Sequence, residues 1–350
     1  MYLEHFSLQV KPFELLPDPE FLFLSDVHRK ALTFLEYGLL ENTGFILLTG
    51  EVGAGKTTLI RRLLEKIPTS ITISKIFNTQ VSPAQLLRMI NDDFGIVSAA
   101  TDKTDLLREL NDFLITQYGA NKRSILIIDE AQNLGLEQLE EVRLLSNLET
   151  SHQKLLQIVL VGQPELRDKL GSPELIQLRQ RILVHCHLSP LNSQETESYV
   201  LHRLEQAGNR SALRWQPGAM ECVHAASRGV PRVVNILCHY VLLDAFSNST
   251  HDVTVESVQA ILHHLDFEAQ FWPEAAAKAA NAGESVPSAP GSGDVAVLLE
   301  TLGNITENLC QTAETLLQTA RTLSDALLAT LESHAELSAK ERRKSGIWRR

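Results

Sequence analysis

The chain has 350 residues, 44% of them hydrophobic and 21% charged, with a formal net charge of -11. That length allows two or three domains and a sizeable core, while the acidic balance removes the simple electrostatic argument for a nucleic-acid binder. No apolar run approaches the ~20 residues of a membrane-spanning helix, and Met1-Tyr2-Leu3-Glu4-His5 opens without a basic stretch leading into an apolar one, so the expectation is a cytoplasmic protein. Cys186, Cys222, Cys238 and Cys310 form no C-x-x-C pair, which argues against a zinc site or a disulfide framework.

Residues 1–30 are rich in aromatics and prolines: Phe6, Pro12, Phe13, Pro17, Pro19, Phe21 and Phe23. They read as a packed, extended arm that either folds over the purine of a bound nucleotide or covers a sheet edge. From His28 to Leu40, Ala31, Leu32, Leu35 and Leu39 recur at helical spacing, and Gly44 precedes the first strand.

That strand, Gly44-Phe45-Ile46-Leu47-Leu48-Thr49, runs into Gly50-Glu51-Val52-Gly53-Ala54-Gly55-Lys56-Thr57, which fits G-x-x-x-x-G-K-[ST]. A helix beginning at Thr57 and Thr58 completes the strand, loop and helix context of a phosphate-binding loop. The glycines let backbone N–H groups approach phosphates, Lys56 reaches the β- and γ-phosphates, and the Thr57 hydroxyl suits Mg²⁺.

Ile71 to Phe77 reads as a second strand. Ser82 and Pro83 open a helix, and Leu106 to Tyr118 is another. Then Ile125-Leu126-Ile127-Ile128 marks a strand buried on both faces that ends in Asp129 and Glu130. Asp129 is placed to hold Mg²⁺ through its water shell and Glu130 to polarise an attacking water. Next, Leu155 to Gly162 ends at Gln163, whose amide either orders that water and senses the γ-phosphate or merely stabilises the turn. A helix over 174–180 leads past Arg181 to a fifth strand, Ile182 to Leu188. Five alternations of strand and helix predict a parallel α/β fold with its ligand at the carboxyl ends of the strands.

From Leu191 the pattern is helical only. Helices are expected from Asn192 to Ala207, from Pro217, from Val230-Pro231 to Phe246, and from Val253 to Leu265 with Thr254 as its cap, making a small bundle.

The residues Lys11-Pro12-Phe13, Pro17-Asp18-Pro19, His28, Tyr37-Gly38-Leu39, Gly44-Phe45, the phosphate loop, Asp129-Glu130-Ala131-Gln132, Gly162-Gln163-Pro164-Glu165-Leu166, and Gly229-Val230-Pro231-Arg232 with Asn235 together resemble the AAA+ ATPases, and among them the ExeA/GspA-like (general secretion pathway protein A) group. The resemblance covers about residues 1–270. It implies an α/β P-loop AAA+ core with a five-stranded parallel sheet (1–190 with the arm), an α-helical lid (191–270), ATP and Mg²⁺ as ligands, and assembly into a ring or other oligomer. It also implies roles: Lys56 and Thr57 on phosphate and Mg²⁺, Asp129 on Mg²⁺, Glu130 as base, Gln163 as first sensor, and Arg232 as the lid arginine on the γ-phosphate. Arg181, or else Arg179, is the candidate arginine that completes a neighbour's site; a surface ion pair is the plainer role for either.

Residues 271–293 read as a flexible linker and 294–340 as one long helix, in which Leu298, Leu302, Ile305 and Leu309 begin a stripe near the 11-residue repeat of a straight or slightly right-handed coiled coil. That stripe needs a partner: a second copy, its own core, or a client or envelope protein. The basic end, 341–350, with Ile347 and Trp348, suits an anionic inner-membrane surface or a nucleic-acid backbone, or is simply solvated. The expected role is ATP-driven assembly of an envelope system for secretion, pilus formation or exopolysaccharide export. The alternative is a DNA-linked regulator of the TniB/MuB transposition type.

Overall fold

A computed structural model describes residues 2–273 apart from 42, 69, 78, 80, 99, 101 and 152. The predicted long helix, the basic end and nearly all of the predicted linker lie outside the described residues.

Five parallel strands form the central sheet: β1 (Phe45–Gly50), β2 (Ile71–Ile76), β3 (Arg123–Ile128), β4 (Leu156–Gly162) and β5 (Ile182–Leu188), in the order β2-β3-β4-β1-β5. All of β1 and β4 and all but the first residue of β3 are buried, as their unbroken aliphatic runs require of strands covered on both faces. One face carries a core containing Phe45, Leu47, Leu126, Ile128, Ile158 and Leu160; the other carries Ile46, Leu48, Ile125, Ile127, Val159 and Val161. At the edge, β5 alternates buried and exposed residues, with Leu183 turned outward. Because β4 inserts between β1 and β3, the phosphate loop after β1, the carboxylates after β3 and Gln163 after β4 leave three adjacent strands at the same end of the sheet.

Helices α1 (Tyr2–His5) and α2 (Asp26–Leu40) precede the sheet, and α3 (Lys56–Glu65), α4 (Pro83–Asp93), α5 (Lys103–Gly119), α6 (Leu136–Leu145), α7 (Pro164–Leu170) and α8 (Ile176–Arg179) are interleaved with it. Ser25 caps α2, and a reciprocal Ser82–Gln85 capping box with Pro83 in the first turn opens α4. The helix expected over 174–180 is split: Pro173–Leu175 is a 3-10 turn and only Ile176–Arg179 is α-helical. Two helices not foreseen, α6 and α7, follow the carboxylates and Gln163.

Beyond Leu191 come α9 (Ser193–Gln206), α10 (Ala219–Ser227), α11 (Pro231–Ser247), α12 (Val255–His264) and α13 (Phe267–Phe271), with β6 (Arg214–Trp215) and β7 (Asp252–Val253) paired in parallel between them. Asn192 and Glu195 cap α9 reciprocally, as Thr254 and Ser257 cap α12. Their core includes Val200, Leu204, Val234, Leu237, Leu242 and Val258, and it takes in Phe6, Leu8 and Phe13 from the arm. The arm is therefore tied to the helices more than extended: it holds α1 and a 3-10 turn, Pro19–Phe21, capped by Asp18. Phe271 and Trp272, assigned to the linker from sequence, instead pack on this helical core, where the Trp272 indole donates to the Ala226 carbonyl at 2.9 Å.

Candidate active site

The loop between β1 and α3 takes its shape from glycines. Gly53 and Gly55 have φ of +81° and +93°, a left-handed region that a side chain resists, and Gly55 begins α3. Space is equally short at Gly53, where a Cβ would come within 2.3 Å of the Arg232 Cβ. Lys56 is buried, and its Nζ donates to the Gly50 and Glu51 carbonyls at 2.8 and 3.0 Å. Burial pulls the pKa of its ammonium down while the nearby Glu130 and Asp129 carboxylates pull it back up.

A buried histidine underpins the loop. His28 Nε2 lies 3.0 Å from the Ala54 carbonyl, and Nδ1 lies 2.8 Å from the Ser25 hydroxyl. Since a carbonyl only accepts, Nε2 carries the proton and Nδ1 accepts from Ser25. Burial lowers the pKa of His28, favouring this neutral form.

Across the cleft floor, the Thr57 hydroxyl donates to Asp129 Oδ2 at 3.3 Å, and Asp129 Oδ1 accepts from the Glu130 backbone N–H at 2.9 Å. Burial lifts the Asp129 carboxyl above the usual range, Glu130 adds to that lift, and the N–H and Thr57 bonds oppose it. A buried carboxylate beside a hydroxyl, both hard oxygen donors, suits a magnesium ion that shares its shell with phosphates and water. No cluster of three or more His, Cys, Asp or Glu exists among the described residues.

Glu130 adopts φ 52° and ψ 36°, a left-handed conformation uncommon for a residue with a side chain. Its Oε2 accepts from Gln132 Nε2 at 2.5 Å and from Gln163 Nε2 at 3.2 Å, while the Gln163 backbone N–H donates to Gln132 Oε1 at 3.1 Å. The Lys169 ammonium in turn holds the Gln132 and Leu134 carbonyls at 2.5 and 2.6 Å. Two amides thus fix the carboxylate through one oxygen, and Oε1 accepts no hydrogen bond among the described residues.

The opposite wall comes from the arm and the helices. A cavity of about 230 Å³ runs from Leu15, Phe21 and Phe23 past the loop, including Thr58, to Glu130 and Gln163, and is closed by Tyr199, Arg203, Arg232 and Asn235. Pro231 starts α11, and the Arg232 backbone N–H donates to the Gly53 carbonyl at 3.3 Å, so the helix end sits on the loop. Its guanidinium has no ion-pair or hydrogen-bond partner among the described residues.

Arg181 is elsewhere. Its Nη1 donates to Ser146 Oγ at 2.5 Å, Asn147 Oδ1 at 2.7 Å and the Arg143 carbonyl at 3.1 Å, at the end of α6. Arg179 donates to the Gly171 carbonyl at 3.1 Å and is exposed. Neither lines the cleft. The loop, Asp129, Glu130, Gln163 and Arg232 therefore converge. Sequence reasoning gave no role to His28, Gln132, Arg203, Tyr199 or Asn235; His28, Gln132 and Asn235 stood among the residues of the family resemblance, whereas nothing singled out Arg203 or Tyr199.

A nucleoside-triphosphate-binding domain of the AAA type is what this sheet order, loop and cleft define. Residues 40–170 match the family model described as "AAA domain". Over 254 residues the chain is 43% identical to general secretion pathway protein A of Aeromonas hydrophila, covering 72% of this chain and 46% of that protein. It thus spans about half the length of that relative. Among solved structures, Cdc6p from Pyrobaculum aerophilum superposes with a TM-score of 0.53 at 17% identity, covering 68% of each chain. The ORC1 protein of Aeropyrum pernix, solved in complex with DNA, gives 0.52 at 17% identity, covering 73% of this chain and 69% of that one. At such identities these two speak for the fold alone. The chain fits the ExeA/GspA-like group of AAA+ ATPases.

Proposed function

We propose that this chain hydrolyses ATP to ADP and phosphate with magnesium, and that it does so in support of a bacterial envelope system for secretion, pilus assembly or exopolysaccharide export. The observation that carries the hydrolytic part is Glu130, held by two amides one residue beyond a carboxylate bonded to the loop threonine. Backbone N–H groups of the 50–57 loop and the start of α3 receive the phosphates. Lys56, which spends its donors on loop carbonyls, turns to the β- and γ-oxygens, a stronger charge-assisted pairing. Thr57 and Asp129 hold a magnesium ion, whose charge would stabilise the phosphate oxygens as the bond breaks. Glu130 takes a proton from the attacking water, Gln163 orders that water, and Arg232 reports on the γ-phosphate.

The envelope assignment rests on the 43% identity to general secretion pathway protein A. Self-association belongs to the same proposal: Arg181 and Arg179 lie off the cleft of their own chain, so either would act on a nucleotide only in a neighbouring copy. It includes a client or envelope component met by the 294–340 sequence and an inner-membrane surface met by the basic 341–350 sequence from the cytoplasmic side. The DNA-linked reading gains nothing specific, and the net charge of -11 opposes it. Phosphate release by the wild-type chain and by Glu130→Gln, with and without magnesium, tests the core of the proposal. Turnover that needs both the metal and Glu130 supports it; equal release from both proteins overturns the assignment of the base.

A further inference from the structure

Arg203 is a buried cation in the cleft wall, 7% exposed, with no carboxylate within ion-pair distance among the described residues. Removing a guanidinium from water without a counter-charge is costly unless its donors are satisfied. Here they reach across the cleft mouth. Nε donates to the Pro12 carbonyl, Nη2 to the Glu14 carbonyl at 3.3 Å, and the planar group lies 4.9 Å from the centre of the Phe21 ring. All three of those contacts are with the arm, so one side chain from α9 sets the position of a stretch that lines the cavity.

The remaining contact runs the other way. Nη1 of Arg203 donates to the Tyr199 hydroxyl at 3.1 Å, and that hydroxyl donates to Asn235 Oδ1 at 2.8 Å. Burial raises the pKa of Tyr199, so the hydroxyl keeps its proton and the donor order is fixed from Arg203 to Tyr199 to Asn235. Asn235 stands three residues after Arg232 on α11, which puts both on one face of the helix. A single buried polar chain therefore joins the arm to the helix that carries Arg232.

We propose that Arg203 is a positioning residue of the nucleotide site: it holds the arm as the wall of the base-binding end and, through Tyr199, fixes the face of α11 that presents Arg232 to the terminal phosphate. This rests on the ATP-binding reading above. Contacts to the base are common to ATP and ADP, whereas contacts to the terminal phosphate belong to ATP alone, so the two halves of the chain have different signatures.

The test is equilibrium binding of ATP and of ADP to the full chain, with hydrogen exchange measured over residues 12–23 in the absence of nucleotide. Arg203→Met, which loses both halves of the chain, is expected to weaken ADP binding about tenfold and ATP binding by a larger factor, and to speed exchange in the arm. Tyr199→Phe, which keeps the ring and deletes the hydroxyl, is expected to fold and to lose about fivefold for ATP with little change for ADP. Wild-type affinities in both variants, whatever their melting temperatures, would overturn the inference, as would an equal loss for ATP and ADP in Tyr199→Phe. A wild-type chain that binds neither nucleotide would overturn the ATP-binding reading itself, an outcome distinct from the other two.

Discussion

The two walls of the cleft are built in opposite ways. On the sheet side, each functional group sits in a short contiguous motif at the end of a strand: Gly50 to Thr57 after β1, Asp129 and Glu130 after β3, Gln163 after β4. On the facing side, Leu15 and Phe21 from the arm, Tyr199 and Arg203 from α9, and Arg232 and Asn235 from α11 meet only because the chain folds back over more than two hundred residues. One wall is fixed by backbone: a buried parallel ladder and glycines at positive φ. The other is fixed by side chains, through Arg203, Tyr199 and Asn235. On the proposed reading, chemistry would fall to the stiff wall, and recognition of what the nucleotide carries to the one set by side chains.

Substitutions sharpen that contrast. The largest effect is expected on the stiff wall, where Glu130→Gln should cut phosphate release by about 10²- to 10⁴-fold, the range for removing a general base, while ATP binding stays near wild type. Lys56→Ala should weaken ATP binding by about 10- to 100-fold, from the loss of charge-assisted bonds to phosphate, measured by equilibrium titration. On the wall set by side chains, Arg232→Ala should lower the preference for ATP over ADP by about tenfold and leave ADP binding unchanged. If Arg232→Ala instead lowered both affinities equally, the division of labour between the walls would be wrong.

A smaller effect concerns acid. The pKa of His28 is lowered by burial from the ordinary 6.5, so the unfolded chain binds its proton more readily than the folded one. Its contribution to stability is complete above about 6.5 and is lost as pH falls from there toward the lowered folded value. His202, also lowered by burial, adds to the same slope. Thermal melts between pH 7.5 and 5.5 should show wild-type stability falling with acid, and His28→Asn should flatten part of that fall while lowering stability at neutral pH.

The same contrast explains what the sequence could reveal. Strand, loop and terminal carboxylates were legible because each is a local pattern whose chemistry needs neighbours in sequence. Helix α2 was legible from its apolar spacing, and α4, α9 and α12 from Ser82, Asn192 and Thr254, whose side chains cap their starts. The unforeseen α6 and α7 begin at Gly135 and Gln163 with no side-chain cap bond. Gln163 itself was read as a water-ordering amide, and it is also the residue that opens α7. Arg203 was invisible for a different reason: an arginine at position 203 of an amphipathic helix looks solvated until the arm's carbonyls are brought to it by tertiary folding.

The hydrogen bond from the Arg232 backbone to the Gly53 carbonyl makes the first turn of α11 a hinge pin resting on the loop. Because the pin is main chain on both sides, every substitution at 232 except proline, which has no N–H to donate, leaves it in place. On the ATP-binding reading, an outward swing of the helices would break this bond at the very loop that receives the phosphates, and a wedge as small as the methyl of Gly53→Ala, set against the Arg232 Cβ, would hold the joint ajar.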